Sequence, residues 1–279
     1  MIVSVNSGTR EFFEGDPPYS GDELLRFVRR VSSLGFKAVQ IGPLGYFDSF
    51  EGERLRTVLD NLNIERNVHV GGLYDAEKFA STPEEYVRAQ TELRCGITLC
   101  GKICSTLVSV YPPFFAAGGV ASEEVRLRAR TRFHELLEET VKFASRDHII
   151  IALESFCYPP FIFEGLDDFA RFVSEFPSEK LGVLLDVGHV YQVGIDLSRA
   201  VRTLGDRLLD VHVHDATRER DYRRATHLPV GKGTIDFPSF LSLLREVGYD
   251  GWLTLEVRSG EREVAESKRF LESLLSRES

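Results

Sequence analysis

Short apolar and β-branched runs alternate along the chain with longer segments in which apolar residues recur every three or four positions. The short runs are typical of β-strands, and the longer segments of amphipathic helices with one buried face. We predict eight strands, at Ile2–Ser7, Lys37–Ile41, Asn67–Val70, Ser105–Tyr111, Ile149–Glu154, Gly182–Val187, Leu208–His214 and Trp252–Val257. The predicted helices are Asp22–Leu34, Pro83–Leu99, Glu123–Ser145, Leu166–Phe176, Leu197–Leu204, Phe237–Val247 and Arg262–Leu275.

This alternation indicates a parallel sheet built from βα units. Strands that are apolar on both sides, such as 149–153 and 183–185, suit a sheet that is covered on both faces. Eight βα units close most simply as a (β/α)₈ TIM barrel, which we predict as a single domain over residues 1–279. A doubly wound open sheet is the alternative.

The composition supports a folded protein of this kind. The chain has 279 residues, of which 43% are hydrophobic, so it can bury a full core. Its amino-terminal segment lacks the basic and apolar regions of a signal peptide, and no run approaches the roughly 20 apolar residues of a membrane helix. We expect a soluble, cytoplasmic protein without membrane contact. The four cysteines are predicted to be buried thiols, because they lack the spacing of a zinc site; they are Cys95, Cys100, Cys104 and Cys157.

The net charge limits the choice of partners. A formal charge of −9 opposes attraction to a phosphate backbone, so a nucleic-acid partner is not expected. The arginine-rich run 218–224 is the exception, and such a run is usually a solvated loop. A homo-oligomer is compatible with the sequence, which does not specify an oligomeric state.

Candidate chemistry appears where the later strands end. Glu154, Asp186, His212 and Glu256 each stand at or near the carboxyl end of one of four consecutive predicted strands. A charged side chain at such a position is costly to desolvate unless it is paired or coordinated, and in a barrel all four point to the face where active sites are built. We therefore predict a shared metal or catalytic site.

Two histidines of one strand are candidates for the same ligand position. His212 and His214 are two residues apart on one strand and so face the same side, which leaves open which of them binds a metal. We favour His212, because it is set deeper in the strand, with His214 as a hydrogen-bonding neighbour. His189 follows Asp186 by three residues across a glycine, so a turn can bring both side chains to one cavity.

Together these segments resemble a known family. ALES, LLDVGH, DVHVHD, VGKGTIDFPSFL and LTLEV are similar to the sugar phosphate isomerase/epimerase superfamily of xylose isomerase-like TIM barrels, which also contains endonuclease IV. The similarity is strongest over residues 149–257 and is only topological before them, apart from His69. The segment Gly231–Gly233 is also glycine-rich but lacks the spacing of a phosphate-binding loop, so we predict a structural turn.

The resemblance implies roles for individual residues. In the family's ketose 3-epimerases, residues matching Glu154, Asp186, His212 and Glu256 bind one Mn²⁺, Mg²⁺ or Co²⁺, and the two glutamates move the substrate proton. A set of carboxylates with one imidazole suits these ions, and Zn²⁺ is also compatible. His189 and Arg218 match residues that contact the substrate.

Two more histidines have counterparts in the nuclease branch. His227 matches a zinc ligand there, and the alternative is a residue that lines the pocket. His69 also matches a histidine of that branch, and we favour a pocket-lining role over a packing role. We include both among the predicted substrate-binding residues.

The resemblance implies an enzyme, a metal-dependent isomerase or epimerase of a small sugar, sugar phosphate or related keto-polyol. The bound ion would polarise a carbonyl and stabilise an enediolate, and a carboxylate would take and return the proton. An inosose dehydratase-like lyase is a close variant. An endonuclease IV-like zinc phosphodiesterase is the alternative from another class, but Ser109 or a neighbouring residue stands where that branch has a histidine on the fourth strand, and Ala225 replaces an aspartate. A barrel that binds a ligand without converting it is the third possible function. Selectivity depends on loops 12–19, 42–50 and 111–119.

Overall fold

The computed structural model describes residues 1–9, 12–13, 18–42, 51–70, 74–115, 122–155, 161–219 and 225–276. Eight parallel strands follow one another around a closed barrel, in which the last strand pairs with the first. The predicted TIM barrel is therefore confirmed, and the open sheet is wrong. Strands β1 to β8 are Ile2–Asn6, Ala38–Ile41, Glu65–Val70, Leu107–Val110, Ile150–Glu154, Leu181–Asp186, Leu208–Val213 and Trp252–Leu255.

Helices connect the strands and cover the outside of the barrel. Helices α1 to α10 are Gly21–Ser33, Gly52–Asn61, Ala76–Ser81, Pro83–Ile103, Glu123–Ala144, Leu166–Ser174, Val187–Gln192, Leu197–Leu204, Phe237–Glu246 and Glu261–Ser276. All seven predicted helices are present, but α2, α3 and α7 are not among the predicted ones. Two of them, α3 and α7, have only six residues each, too few turns for apolar periodicity to stand out.

Local sequence explains where the first helix begins and ends. The Ser20 side chain accepts a hydrogen bond from the Glu23 backbone N–H, and the Glu23 carboxylate accepts one from the Ser20 backbone N–H at 2.7 Å. This reciprocal pair satisfies amide groups that have no partner inside the helix. At the other end, Gly35 has a φ of +83°, a conformation that glycine adopts without the steric cost of a side chain.

Alternate residues along each strand lie in two different environments. Residues that face the helices are apolar and belong to one continuous core, as Val5, Ile41, Val110 and Leu153 do. The residues between them face the barrel interior, where bulky branched side chains are the rule in TIM barrels. Here much of that interior is polar and buried, with Ser4, Asn6, Gln40, Asn67, His69, Ser109, Glu154, Asp186, Asp210, His212 and Thr254.

A shift in register aligns the two strands that carry most of the candidate ligands. Val183 of β6 pairs with Leu208 of β7, but the next residue, Leu184, pairs with Asp210. One residue of β7 is therefore left without a partner on β6. As a result, Asp186 and His212 become direct neighbours at the carboxyl end of the barrel.

The glycine-rich segment before α9 forms a turn, in agreement with the sequence prediction. The Asp215 carboxylate accepts hydrogen bonds from the backbone N–H groups of Gly231 at 2.9 Å and Ile235 at 3.1 Å. A Cβ on Gly233 would lie 2.3 Å from Asp215 Oδ1, so only glycine leaves room for this contact. The segment folds around an acidic side chain, which would repel a phosphate.

The prediction of buried cysteines is wrong in two cases. Cys100 is buried, but Cys95 lies on the outer face of α4, and Cys104 is exposed where that helix ends. Cys157 lies outside the described residues. None of the helices in the described ranges combines the length and the apolar character that crossing a membrane requires.

Candidate metal centre

Four consecutive strands bring their ionisable side chains together at the carboxyl end of the barrel. Glu154 ends β5, Asp186 ends β6, His212 lies on β7, and Glu256 directly follows β8. Ligand atoms of Glu154, Asp186 and His212 all lie within 4.8 Å of one another. Glu256 Oε2 is 3.2 Å from Nδ1 of His212, on the side of this group that faces β8.

The atoms that face one another here fit a cation. Both carboxylate oxygens of Glu154, Nδ1 of His212 and Oε2 of Glu256 are buried and form no hydrogen bond of acceptable geometry within the described residues. A buried carboxylate without a partner is strongly unfavourable, and a metal ion would satisfy all of these atoms at once. Three carboxylates with one imidazole suit Mg²⁺, Mn²⁺ or Co²⁺.

The electrostatics of the cluster also favour a cation. Burial raises the pKa of Glu154 well above its usual value, and the charges of Glu256 and Asp186 raise it further. Burial favours the neutral form of Asp186 as well, but His189 and His214 outweigh it and lower that pKa. The neighbouring carboxylates thus oppose ionisation of Glu154, and a divalent ion between them would offset this repulsion.

His214 lies beside the group and has a different environment from His212. Its Nε2 is 3.0 Å from Asp186 Oδ1, and its Nδ1 accepts a hydrogen bond from the His227 backbone N–H at 2.8 Å. Both ring nitrogens are therefore engaged. The ring occupies the space above Gly188, where a Cβ would lie 1.9 Å from it. His214 thus orients Asp186, whereas Nδ1 of His212 faces Asp186 on one side and Glu256 on the other.

His189 and His227 form a second contact within the site. Their Nε2 atoms are 3.3 Å apart, and His227 Nδ1 is 2.9 Å from the backbone oxygen of Glu256. Burial lowers the pKa of His189 to about 4, although Asp186 opposes this, and burial with His214 lowers that of His227 well below its usual value. Both rings are neutral near pH 7. With His214 they form a second group whose ligand atoms lie within 4.8 Å of one another, although both ring nitrogens of His214 already make hydrogen bonds.

His69 enters the site from β3, on the opposite side of the barrel. It is fully buried, its Nε2 is 3.8 Å from Glu154 Oε2, and its ring meets Tyr111 edge to face at 4.6 Å. Burial, together with His212, lowers the pKa of His69 to about 3. A neutral ring therefore forms the wall of the site beside Glu154.

Arg218 is the predicted residue that stands apart. Its side chain is exposed, and its guanidinium group lies over the ring of Tyr191 at 4.6 Å from the centroid. The described residues provide no ion pair between Arg218 and the carboxylate cluster. The loop positions 220–224, 14–17, 43–50 and 116–119, which the sequence prediction also invoked, lie outside the described residues.

Sequence reasoning missed the polar layer beneath the cluster. Gln40 Nε2 donates to Asp210 Oδ2 at 2.9 Å across the barrel, and Asn67 Nδ2 donates to the same oxygen at 3.0 Å. Thr254 Oγ1 donates to the other Asp210 oxygen at 2.8 Å. The sequence does contain a usable signal, because each of these residues alternates with apolar neighbours and so shares the inward side of its strand.

Comparison with known proteins places this geometry in a family. The profile of the family described as xylose isomerase-like TIM barrel matches residues 28–274. The chain is 30% identical to an uncharacterized protein of Methanocaldococcus jannaschii over 146 residues, which are 50% of this chain and 47% of that one. It is 23% identical to a D-psicose 3-epimerase of Enterocloster bolteae over 83% of this chain and 75% of that one. It is 28% identical to a probable endonuclease 4 of Thermoplasma acidophilum over 60% of this chain and 58% of that one.

Solved structures share the fold over almost the whole chain. A D-tagatose 3-epimerase-like protein superimposes with a TM-score of 0.80 at 24% identity, covering 99% of this chain and 97% of that one. The D-psicose 3-epimerase of Clostridium cellulolyticum H10 superimposes with a TM-score of 0.77 at 16% identity, covering 99% of both. At these identities the similarity demonstrates the fold alone.

Proposed function

The chain belongs to the xylose isomerase-like TIM barrel family, and we propose that it is a metal-dependent epimerase or isomerase of a small sugar, sugar phosphate or related keto-polyol. The observation that carries this proposal is the convergence of Glu154, Asp186, His212 and Glu256, whose buried atoms face one another. The similarity to a D-psicose 3-epimerase over 83% of the chain supports the same substrate class.

In this proposal those four residues hold one divalent ion, Mn²⁺, Mg²⁺ or Co²⁺. When bound, the ion would polarise the carbonyl of a substrate and stabilise the enediolate that forms when a neighbouring carbon loses its proton. Asp186 is oriented to bind the ion through Oδ2. Its Oδ1 accepts hydrogen bonds from the His214 ring and from the His189 backbone N–H, and Oδ2 faces the cluster.

The two glutamates then transfer the proton. Glu154 ends the fifth strand and Glu256 follows the eighth, so their side chains enter the site from different directions. A substrate between them has one carboxylate near each face of the reacting carbon. One carboxylate removes the proton and the other returns it for epimerisation, whereas a single carboxylate moving the proton along one face gives a 1,2-isomerisation.

The neutral histidines exclude bulk water and offer hydrogen bonds to substrate hydroxyls. His69 and His189 flank Glu154, at 3.8 Å in each case, and both are buried. Because burial keeps these rings uncharged near pH 7, they do not add positive charge that would compete with the metal. We propose His69, His189, His227 and Arg218 as substrate-contacting residues.

The test uses deuterium exchange. Metal-loaded protein is incubated in D₂O with a panel of ketoses, hydroxypyruvate and inososes, and the loss of the C–H signal is followed by NMR. We expect exchange with at least one compound, and none after the metal is removed by a chelator. Loss of a hydroxyl in place of epimerisation would identify the inosose dehydratase-like variant of the same chemistry. Absence of exchange across the panel would argue against the proposal.

A zinc phosphodiesterase of the endonuclease IV type is a second candidate, because the chain is 28% identical to a probable endonuclease 4 over 177 residues. Ser109 lies beside His69 in the register of β3 and β4, where that branch has a histidine. Ala225 likewise offers no ligand beside His227. We therefore expect close to one divalent ion per chain by elemental analysis, and three tightly held zinc ions would reverse the ranking.

A further inference from the structure

Below the candidate ligands, a buried carboxylate lies in the middle of the barrel without a cationic partner among the described residues. Asp210 is completely buried and accepts four hydrogen bonds, two at each oxygen. Gln40 and Asn67 donate to Oδ2, whereas Thr254 and the Val211 backbone N–H donate to Oδ1 at 2.8 Å each. Four donors around one carboxyl group suit its ionised, acceptor-only form.

This carboxylate determines which way the Gln40 amide points. An ionised carboxylate accepts and does not donate, so the amide nitrogen of Gln40 must face Asp210 and its oxygen must face away. That oxygen also accepts from Asn6 Nδ2, and Asn6 is fixed in turn because its own oxygen accepts from the Gly8 backbone N–H at 2.5 Å. Both ends of the Gln40 amide are thereby specified.

The orientation of Gln40 determines the tautomer of His212. Gln40 Oε1 is 2.8 Å from His212 Nε2, and an amide oxygen only accepts, so that nitrogen carries the hydrogen. In the neutral ring Nδ1 then keeps its lone pair. This atom is the one that faces Glu256 at 3.2 Å and Asp186 at 3.9 Å.

We propose that Asp210 and Gln40 are positioning residues, which together hold His212 in its Nε2–H tautomer and direct the Nδ1 lone pair toward the carboxylate cluster. The inference rests on the proposed function in taking His212 as a metal ligand, but the tautomer itself does not require a metal. Hydrogen bonds to the distal nitrogen of a ligating histidine typically change metal affinity by about 10- to 100-fold.

The sharpest variant is Asp210→Asn, which keeps the shape but replaces an acceptor by an amide. The Val211 backbone N–H cannot turn, so it keeps the oxygen of the new amide at the Oδ1 position, and the NH₂ takes the Oδ2 position, where it faces the NH₂ of Gln40. Gln40 then turns over and presents its own NH₂ to His212 Nε2. That nitrogen then has to accept, and the hydrogen moves to Nδ1. We expect Co²⁺ affinity, measured by calorimetry, to fall about 10- to 100-fold.

We call the chain of hydrogen bonds from Asp210 through Gln40 to His212 the relay. A matched control separates loss of the relay from general damage to the polar layer beneath the cluster. Thr254→Val also removes one hydrogen bond to Asp210, but at Oδ1, and leaves the contact between Oδ2 and Gln40 unchanged. It should bind Co²⁺ within about threefold of the parent. This is well below the effect of about 10- to 100-fold that is typical when a metal ligand loses its hydrogen-bond partner. Equal losses in Thr254→Val and Asp210→Asn would overturn the proposal.

A double variant provides the rescue. In Gln40→Glu with Asp210→Asn, the acceptor-only carboxylate moves to position 40, where it accepts from His212 Nε2 on one side and from the new amide on the other. Asn67 can turn to accept from that amide, since its Oδ1 is buried and has no partner in the described structure. We expect Co²⁺ affinity to return to within about threefold of the parent, against the 10- to 100-fold loss in Asp210→Asn.

The tautomer is measured directly by ¹⁵N NMR of the metal-free full chain at alkaline pH, where the imidazole is neutral. His212 should carry its hydrogen on Nε2 in the parent and the double variant, and on Nδ1 in Asp210→Asn. If that variant does not fold, Gln40→Met removes the acceptor, and the hydrogen should move to Nδ1 to face Glu256.

The two proposals fail in different ways. A parent protein that binds no divalent metal but shows the expected change of tautomer would refute the metal-dependent function and uphold the relay. A parent that binds metal, with the hydrogen of His212 unmoved in both Asp210→Asn and Gln40→Met, would refute the relay alone.

Discussion

The barrel interior is built from two unlike halves. Strands β5 to β8 bring carboxylates and an imidazole to the carboxyl end, whereas β1 to β4 contribute mainly amides and hydroxyls, with His69 as the ionisable exception. The later half carries the candidate ligands Glu154, Asp186, His212 and Glu256. The earlier half carries Asn6, Gln40, Asn67 and Ser109.

The difference has a physical reason. Several buried carboxylates already share one small volume, and another ionisable group would raise the cost of desolvation. Amides and hydroxyls donate to a carboxylate without adding charge, as Gln40 and Asn67 do to Asp210. The later half can therefore bind and react, while the earlier half holds it in one hydrogen-bonded arrangement. Each prediction below tests where this division lies.

The largest effect is expected from the two glutamates. Glu154→Gln and Glu256→Gln keep the shape of the side chain but remove the proton acceptor, so both should abolish product formation in a two-base epimerisation. One of them can still exchange the substrate proton with D₂O from its own side. In a single-base isomerisation, one variant should lose exchange and the other mainly metal affinity. Near wild-type turnover in both would show that neither carboxylate acts in the chemistry.

The next effect separates metal ligands from neighbouring residues. Asp186→Asn and His212→Ala should lose metal and activity together, because each removes a proposed ligand. His189→Ala should keep the metal and lose turnover, since its ring faces the cluster without belonging to it. Metal content by elemental analysis is compared with the exchange rate for all three. Full metal content in the first two variants would remove Asp186 and His212 from the ligand set.

A smaller effect is expected at Gly188, in the later half, where the absence of a side chain leaves room for the His214 ring. Gly188→Ala places a methyl group 1.9 Å from the His214 ring, which must then move away from Asp186. Loss of such an outer contact should weaken metal binding about 10- to 100-fold. Gly101→Ala is the matched control, because its Cβ meets no atom within 4 Å. Equal metal affinity in both variants would show that the contact between His214 and Asp186 does not matter.

The two halves differ in how far the sequence could predict them. Charged residues at the ends of apolar strands stand out, so the sequence alone predicts Glu154, Asp186 and Glu256 as a group. The eight strands could be predicted for a similar reason, because each apolar run is bounded by polar turns. His212 could be favoured over His214 only by its depth in the strand, and the geometry that distinguishes them depends on the register shift between β6 and β7.

The earlier half could not be predicted in this way. Gln40 and Asn67 are ordinary polar residues in short strands, and the same residue types are common on protein surfaces. Their partner, Asp210, is more than 140 positions away in the chain, and only closure of the barrel brings the three side chains together. Exposure of Cys95 and Cys104 also depends on which face of α4 meets the barrel, which cysteine spacing does not specify.

The smallest effect is expected at Ser109, in the earlier half. Its Oγ accepts from Gln40 Nε2 at 3.2 Å and donates to the Val68 backbone oxygen at 3.4 Å, both long contacts. Gln40 keeps its shorter bond to Asp210 when the hydroxyl is removed, so the amide stays oriented. Ser109→Ala should therefore lower the free energy of unfolding by about 1 kcal/mol or less, measured by urea denaturation, and leave metal affinity unchanged. A loss of metal affinity above about tenfold, which corresponds to about 1.4 kcal/mol, would instead mean that β4 helps to orient the ligands. The positioning role that Asn6, Gln40 and Asn67 give to β1, β2 and β3 would then extend to β4.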